Sequence, residues 1–221
     1  MLSESESISG LTKKHFTFVY TVTLYSCTKL TDGCSSCLSF RVVEGFECGW
    51  CNRASEMADS CMYKQECEAT PVTEGSGCPP PIIVDFNPKS GPIEGGTTIT
   101  ITGRDLGITF DDFNASNIRV GTFPCTPIQE GYASGREIQC RTTDRKLSIG
   151  ALSVSIEISL STGQVMSEQQ FRFLTPEITE VYPILGPVAG GTQLTLKGQN
   201  LNIGNTDDTR ITINERQCDV E

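Results

Sequence analysis

The chain has 221 residues, a formal net charge of -10, and 17 Lys and Arg against 27 Asp and Glu. Nucleic-acid binding draws its affinity from clustered basic residues, so this balance argues against that partner class. No stretch approaches the roughly 20 consecutive apolar residues that cross a bilayer as a helix.

Residues 1–14 have neither the basic start nor the apolar run of a signal peptide, so an export signal and any membrane anchor are expected outside this chain. Residues 16–25 alternate apolar side chains with threonines, which predicts a strand. Residues 1–26 then form either the end of a preceding domain or a disordered N-terminus. Eight of the eleven cysteines follow between Cys27 and Cys78. Small secreted modules use such a density to replace a missing hydrophobic core. The spacing is Cys27-x6-Cys34-x2-Cys37-x10-Cys48-x2-Cys51-x9-Cys61-x5-Cys67-x10-Cys78. Eight cysteines allow 105 pairings, and sequence arithmetic does not choose among them. The segment 27–81 is read as one cysteine-rich module, closed by Pro79, Pro80 and Pro81, whose polyproline geometry predicts a stiff linker.

Beyond the linker the chain repeats itself. Residues 88–97, Pro-Lys-Ser-Gly-Pro-Ile-Glu-Gly-Gly-Thr, return at 183–192 as Pro-Ile-Leu-Gly-Pro-Val-Ala-Gly-Gly-Thr, an offset of 95. The same offset carries Gly103 and Leu106 onto Gly198 and Leu201, and Ile99 and Ile101 onto Leu194 and Leu196. Ile99 and Ile101 alternate with Thr98, Thr100 and Thr102, the pattern of a half-buried strand. Val154, Ile156, Ile158 and Leu160 alternate likewise, and a Ser161-Thr162-Gly163-Gln164 turn leads toward Phe171 and Phe173, which predicts a hairpin. Short strands separated by Gly, Pro, Asn and Asp clusters predict a small all-β sandwich over 82–176. A second copy over 177–221 is expected to be truncated, since about 45 more residues would be needed to match the first.

The eight-cysteine spacing, with Cys48-Gly49-Trp50-Cys51 inside it, resembles the PSI module of plexins, semaphorins, integrins and the hepatocyte growth factor receptor. That resemblance implies four disulfides: Cys27 with Cys48, Cys34 with Cys78, Cys37 with Cys61, and Cys51 with Cys67. The repeated Pro-x-x-Gly-Pro-x-x-Gly-Gly-Thr opening resembles IPT/TIG domains, which implies immunoglobulin-like folds for both copies. Gly103-Arg-Asp-Leu106-Gly107, Phe110-Asp-Asp-Phe113, Cys125-Thr-Pro, Gly131-Tyr132 and Ile138-Gln-Cys140 resemble the domain that follows the last PSI module in plexins. Val22-Thr-Leu-Tyr25-Ser-Cys27 is similar to the strand entering that module from an immunoglobulin-like domain. The family places an intradomain disulfide at Cys125 and Cys140, and Cys218 falls within two residues of the repeat position of Cys125. Asn114-Ala115-Ser116 is the single N-glycosylation sequon, with Asn114 as its acceptor.

Other chemistries fit less well. A thioredoxin-type reading of Cys48 and Cys51 lacks a surrounding βαβ pattern. A four-thiolate zinc site from Cys34, Cys37, Cys48 and Cys51 leaves the other four cysteines of the module without a role. The double glycines lack the Lys and helix of a phosphate cradle. His15 is the one histidine, next to apolar residues near one end, so metal dyads dependent on histidine are excluded unless another chain contributes. Asp111-Asp112 and Asp207-Asp208 read as solvated loop carboxylates. No catalytic residue, metal ligand or cofactor is expected, and the chain is not read as an enzyme.

The plexin resemblance implies a stalk segment of a single-pass semaphorin receptor on the extracellular side of the plasma membrane, signalling in axon guidance and cell migration. Its semaphorin ligand would be bound through the full-length receptor, and a receptor homo-oligomer or co-receptor is a further partner. The alternatives are a hepatocyte growth factor receptor-like tyrosine kinase and, against the charge and cysteine content, a Rel-like DNA-binding factor.

Overall fold

The computed structural model describes residues 5–9, 19–31, 33–51, 59–73, 77–114, 116–144, 152–205 and 209–219. They fall into two compact units, Met1–Pro79 and Pro80–Glu221. Among the described residues no helix is long and apolar enough to cross a membrane.

The first unit opens with β1 (Ser5–Ser9) paired antiparallel to β2 (Val19–Thr23). The expected strand over 16–25 therefore exists as β2, and its first residues lie outside the described ones. The cysteine-rich part consists of α1 (Cys27–Leu30), α2 (Cys34–Glu44), β3 (Cys48–Cys51) and β4 (Ser60–Tyr63). Strands β3 and β4 form an antiparallel ribbon with Trp50 opposite Cys61. Helix α2 is not among the expected elements. Cys34, Cys37 and Leu38 recur at i, i+3 and i+4 and are all buried, so the period of 3.6 is there, but cysteines carry it. Gly45 ends the helix in the left-handed region, its N–H donating to the Arg41 carbonyl while the Phe46 N–H donates to that of Phe40.

The second unit contains a complete sandwich built from β5 (Ile82–Asn87), β6 (Ser90–Pro92), β7 (Thr98–Leu106), β8 (Ile118–Val120), β9 (Phe123–Ala133), β10 (Gly135–Thr142), β11 (Leu152–Leu160) and β12 (Gly163–Leu174). The hydrogen-bonded order is β5-β7-β10-β9-β8-β11-β12-β6. Among the described residues only the β12–β6 pair is parallel. Strand β9 pairs with β10 and also with β8, so it joins two half-sheets whose inner faces meet. Phe86, Ile99, Ile101, Cys125, Ile138 and Cys140 come from one half, and Ile118, Val120, Ile156, Ile158, Phe171 and Phe173 from the other, all buried in one core. The alternations read from 98–102 and 153–160 thus point inward as expected. Strands β11 and β12 form the predicted hairpin, with Leu160 opposite Gly163.

The second copy begins with β13 (Glu177–Tyr182) and β14 (Thr195–Gln199), followed by the hairpin of β15 (Ile211–Ile213) and β16 (Arg216–Cys218). The β13–β14 register repeats the β5–β7 register residue for residue: Ile82 faces Arg104 and Glu177 faces Gln199, Asn87 faces Thr100 and Tyr182 faces Thr195. The repeat also carries a cis X-Pro bond at each copy, Asn87-Pro88 and Tyr182-Pro183. The recurring Gly103 and Gly198 have one physical cause. A Cβ at Gly103 would lie 2.0 Å from the carbonyl oxygen of Ile82, and one at Gly198 would lie 1.9 Å from that of Glu177, so the two strands approach too closely for any side chain.

Candidate functional site

In the cysteine-rich part the sequence spacing is converted into cross-links between elements. Cys27 on α1 is bonded to Cys48 on β3, and Cys37 on α2 to Cys61 on β4. Cys34 at the start of α2 is bonded to Cys78, and Cys51 on β3 to Cys67. Their Cα separations of 5.6, 5.6, 5.6 and 5.5 Å lie in the range a disulfide spans without backbone movement. Cys48 and Cys51 occupy a strand, not a helix N-terminus, and each bonds a different partner, which is unlike the geometry a dithiol redox pair uses. Apart from cysteines, Leu38 and Trp50 are the buried hydrophobic side chains among the described residues of this unit. The cross-links therefore stand where a core would be.

In the sandwich, Cys125 on β9 and Cys140 on β10 are bonded and fully buried. The thiol of Cys218 is free and half-buried on β16. Asn114 is exposed between two buried anchors, Phe113 and Ile118. Asp112 accepts hydrogen bonds from the Ile108 and Thr109 N–H groups, at 2.6 and 3.1 Å, so its carboxylate caps a short 3-10 turn over Phe110–Asp112. His15, Asp207 and Asp208 lie outside the described residues.

Beside that turn, Tyr132 meets Phe110 and Phe113 edge-on, with ring centroids 6.1 and 5.8 Å away, and its hydroxyl donates to the Gly107 carbonyl at 2.9 Å. Burial pushes the Tyr132 phenol up to about 12. An unfolded tyrosine ionises near pH 10, so between about pH 10 and 12 the folded chain holds the proton that the unfolded chain has lost. The stabilisation is complete below that window and declines as pH rises through it. Tyr132→Phe is expected to cost about 1 kcal/mol at neutral pH, from the lost hydrogen bond. It should also flatten the alkaline decline, as read by urea unfolding at about pH 8 and about pH 11 in a Cys218→Ser background that prevents thiol exchange. Parallel pH dependence in the two proteins would show that Tyr132 does not carry the effect.

The two copies are joined by contacts that no sequence motif announced. The Gly204 N–H donates to the Ser90 carbonyl at 2.9 Å, and Asn205 Nδ2 donates to the Thr98 carbonyl at 2.9 Å. Gly204 also lies against Thr97 and Pro92 of the first copy. Asn205 is the repeat counterpart of Phe110, so the loop diverges between copies, and that divergence is the one sequence signal of a special role.

Residues 81–173 and 176–221 match the IPT/TIG domain family. The chain belongs to that family. IPT/TIG domains thus account for the sandwich and for residues 176–221 after it. Over 97% of its length the chain is 36% identical to Plexin-2 of Caenorhabditis elegans, of which it covers 11%. It is 36% identical to human Plexin-A4 over 83% of its length, covering 10% of that protein. Among solved structures, the full extracellular region of plexin A4 superposes with a TM-score of 0.66 at 32% identity, over 87% of this chain and 17% of that one. These IPT/TIG domains, with the disulfide-rich module before them, correspond to a plexin stalk segment. The chain spans about a tenth of the plexins it resembles.

Proposed function

We propose that this segment is a non-catalytic, semi-rigid spacer in the extracellular stalk of a plexin-type semaphorin receptor. In this reading residues 27–81 are a PSI module closed by the four disulfides above, 82–176 a complete IPT/TIG domain and 177–221 the beginning of a second. The semaphorin ligand engages other parts of the full-length receptor, on the extracellular side of the plasma membrane, and homo-oligomers or co-receptors act with it. The receptor tyrosine kinase alternative lacks comparable support, since the relatives described above are plexins.

The observation that carries the spacer reading is the pair of hydrogen bonds from Gly204 and Asn205 onto the first copy. Contacts between backbone carbonyls and a loop of the next copy hold an angle, whereas a bare tether would leave the copies free to swing. A test replaces Asn205 with Asp in the secreted chain. The side chain keeps its shape but exchanges an N–H donor for an oxygen facing the Thr98 carbonyl. Spin labels on exposed positions of β12 and β13, in a Cys218→Ser background, report the distance between copies. A narrow distribution in the parent that broadens in Asn205→Asp is the expected result. A distribution already broad in the parent would remove the basis for a spacer.

A further inference from the structure

We propose that Asn114 carries an N-linked glycan, and that the sugar projects from the end of the first sandwich where the chain enters it. The site rests on the extracellular reading above. The Ser116 N–H and Ser116 Oγ both donate to Asn114 Oδ1, at 2.8 and 2.5 Å. Two donors converging on one amide atom identify it as the oxygen, and among the described residues no hydrogen bond engages Nδ2. Both bonds span two residues, so they form from local sequence alone and are available to a nascent chain before the strands pair. This conformation brings the hydroxyl two residues on beside the acceptor amide, and both side chains lie on the exposed surface loop that an Asn-x-Ser acceptor needs.

The transfer balances as a displacement. Asn114 Nδ2 forms a bond to C1 of a lipid-pyrophosphate-linked oligosaccharide, the C1–O bond to the pyrophosphate breaks with its electron pair leaving on oxygen, and one amide proton passes to a base of the transferring enzyme. The folded chain then accommodates the product without rearrangement. Phe113 and Ile118 are buried on either side, while Asn114 and Ser116 stay exposed. The Asn114 N–H donates to Asn117 Oδ1 at 2.6 Å, and Asn117 exchanges hydrogen bonds with Ser159 on β11, as donor to its carbonyl and acceptor from its N–H.

The same contacts locate the sugar. Strands β5 and β7 are antiparallel with Ile82 opposite Arg104, so the loop after β7 lies where β5 begins. The bonds to Ser159 set it beside the turn between β11 and β12, where Gly163 rests against Pro80. Ser90 and Thr98, which receive the second copy, lie toward the opposite end of these strands and stay clear of it.

The primary measurement is a peptide map of the chain secreted from a cell that performs N-glycosylation. Enzymatic release of glycan in heavy-oxygen water should convert Asn114 to labelled Asp. The glycoform should vanish in Asn114→Gln and Ser116→Ala and persist in Ser116→Thr. An unmodified Asn114 in a secreted chain with its disulfides formed would overturn the site and leave the extracellular reading standing. Free thiols throughout the module would instead sink that reading. A glycan that survives Ser116→Ala would also overturn the proposal, because the hydroxyl would then have no part in it.

Discussion

Cys34→Ala combined with Cys78→Ala is expected to destabilise the disulfide-rich unit by about 4 kcal/mol, enough to leave it largely unfolded near body temperature. The bridge spans 44 residues, the longest separation among the five disulfides, and loop-closure entropy for that span gives a value of about 4 kcal/mol. Among its described residues the unit has little else to draw on, because the buried non-cysteine hydrophobics there are Leu38 and Trp50. Trp50 is the single tryptophan, so its fluorescence in urea reports this unit alone. A chain lacking Cys125 and Cys140 is the informative comparison. That bridge spans 15 residues, which implies about 3 kcal/mol, but a continuous apolar core surrounds it. The sandwich should therefore survive its loss at lower stability. Were the first variant to unfold at the urea midpoint of the parent, the disulfides could not be standing in for a core.

Phe171→Ala should cost about 3–5 kcal/mol of sandwich stability, most of what a domain of this size commands. Phe171 is fully buried, its ring centroid lies 5.0 Å from that of Phe173, and the backbone at Gly91 closes over it. Deleting the ring leaves a cavity between the two half-sheets, which neighbouring strands cannot fill because both are held by cross-strand hydrogen bonds on β12. Met166→Ala on the same strand is the control. Its side chain is 60% exposed, and a change within about 0.5 kcal/mol is expected. Urea unfolding followed by far-UV circular dichroism separates the two outcomes. A Phe171→Ala protein as stable as the Met166→Ala one would mean that the inner faces are not packed as described.

Much of the sandwich was legible in the amino acids because β-strands write their burial with a period of two. Ile99, Ile101, Ile156 and Ile158 could be assigned to an inner face from alternation alone, and each is fully buried. The repeat was legible for a similar reason. Gly103 and Gly198 recur because each packs against a facing carbonyl, a constraint that only a missing side chain satisfies. Helix α2 was not legible. The residues on its buried face are Cys34, Cys37 and Leu38 with serines between them, so the hydrophobic period that signals a helix is carried mostly by side chains that also signal a disulfide frame.

What the sequence determined by itself was therefore local and periodic: the acidic charge, the cysteine-dense segment, the alternating strands, the duplicated opening and the sequon at Asn114. The tertiary structure decided what depends on distance between remote residues. It brings Cys34 and Cys78 to a Cα separation of 5.6 Å across 44 positions, sets the Tyr132 hydroxyl on the Gly107 carbonyl, and places Asn205 on Thr98. None of these pairings leaves a periodic trace. Each is made by one side chain meeting a group whose position is set by the folding of everything between them.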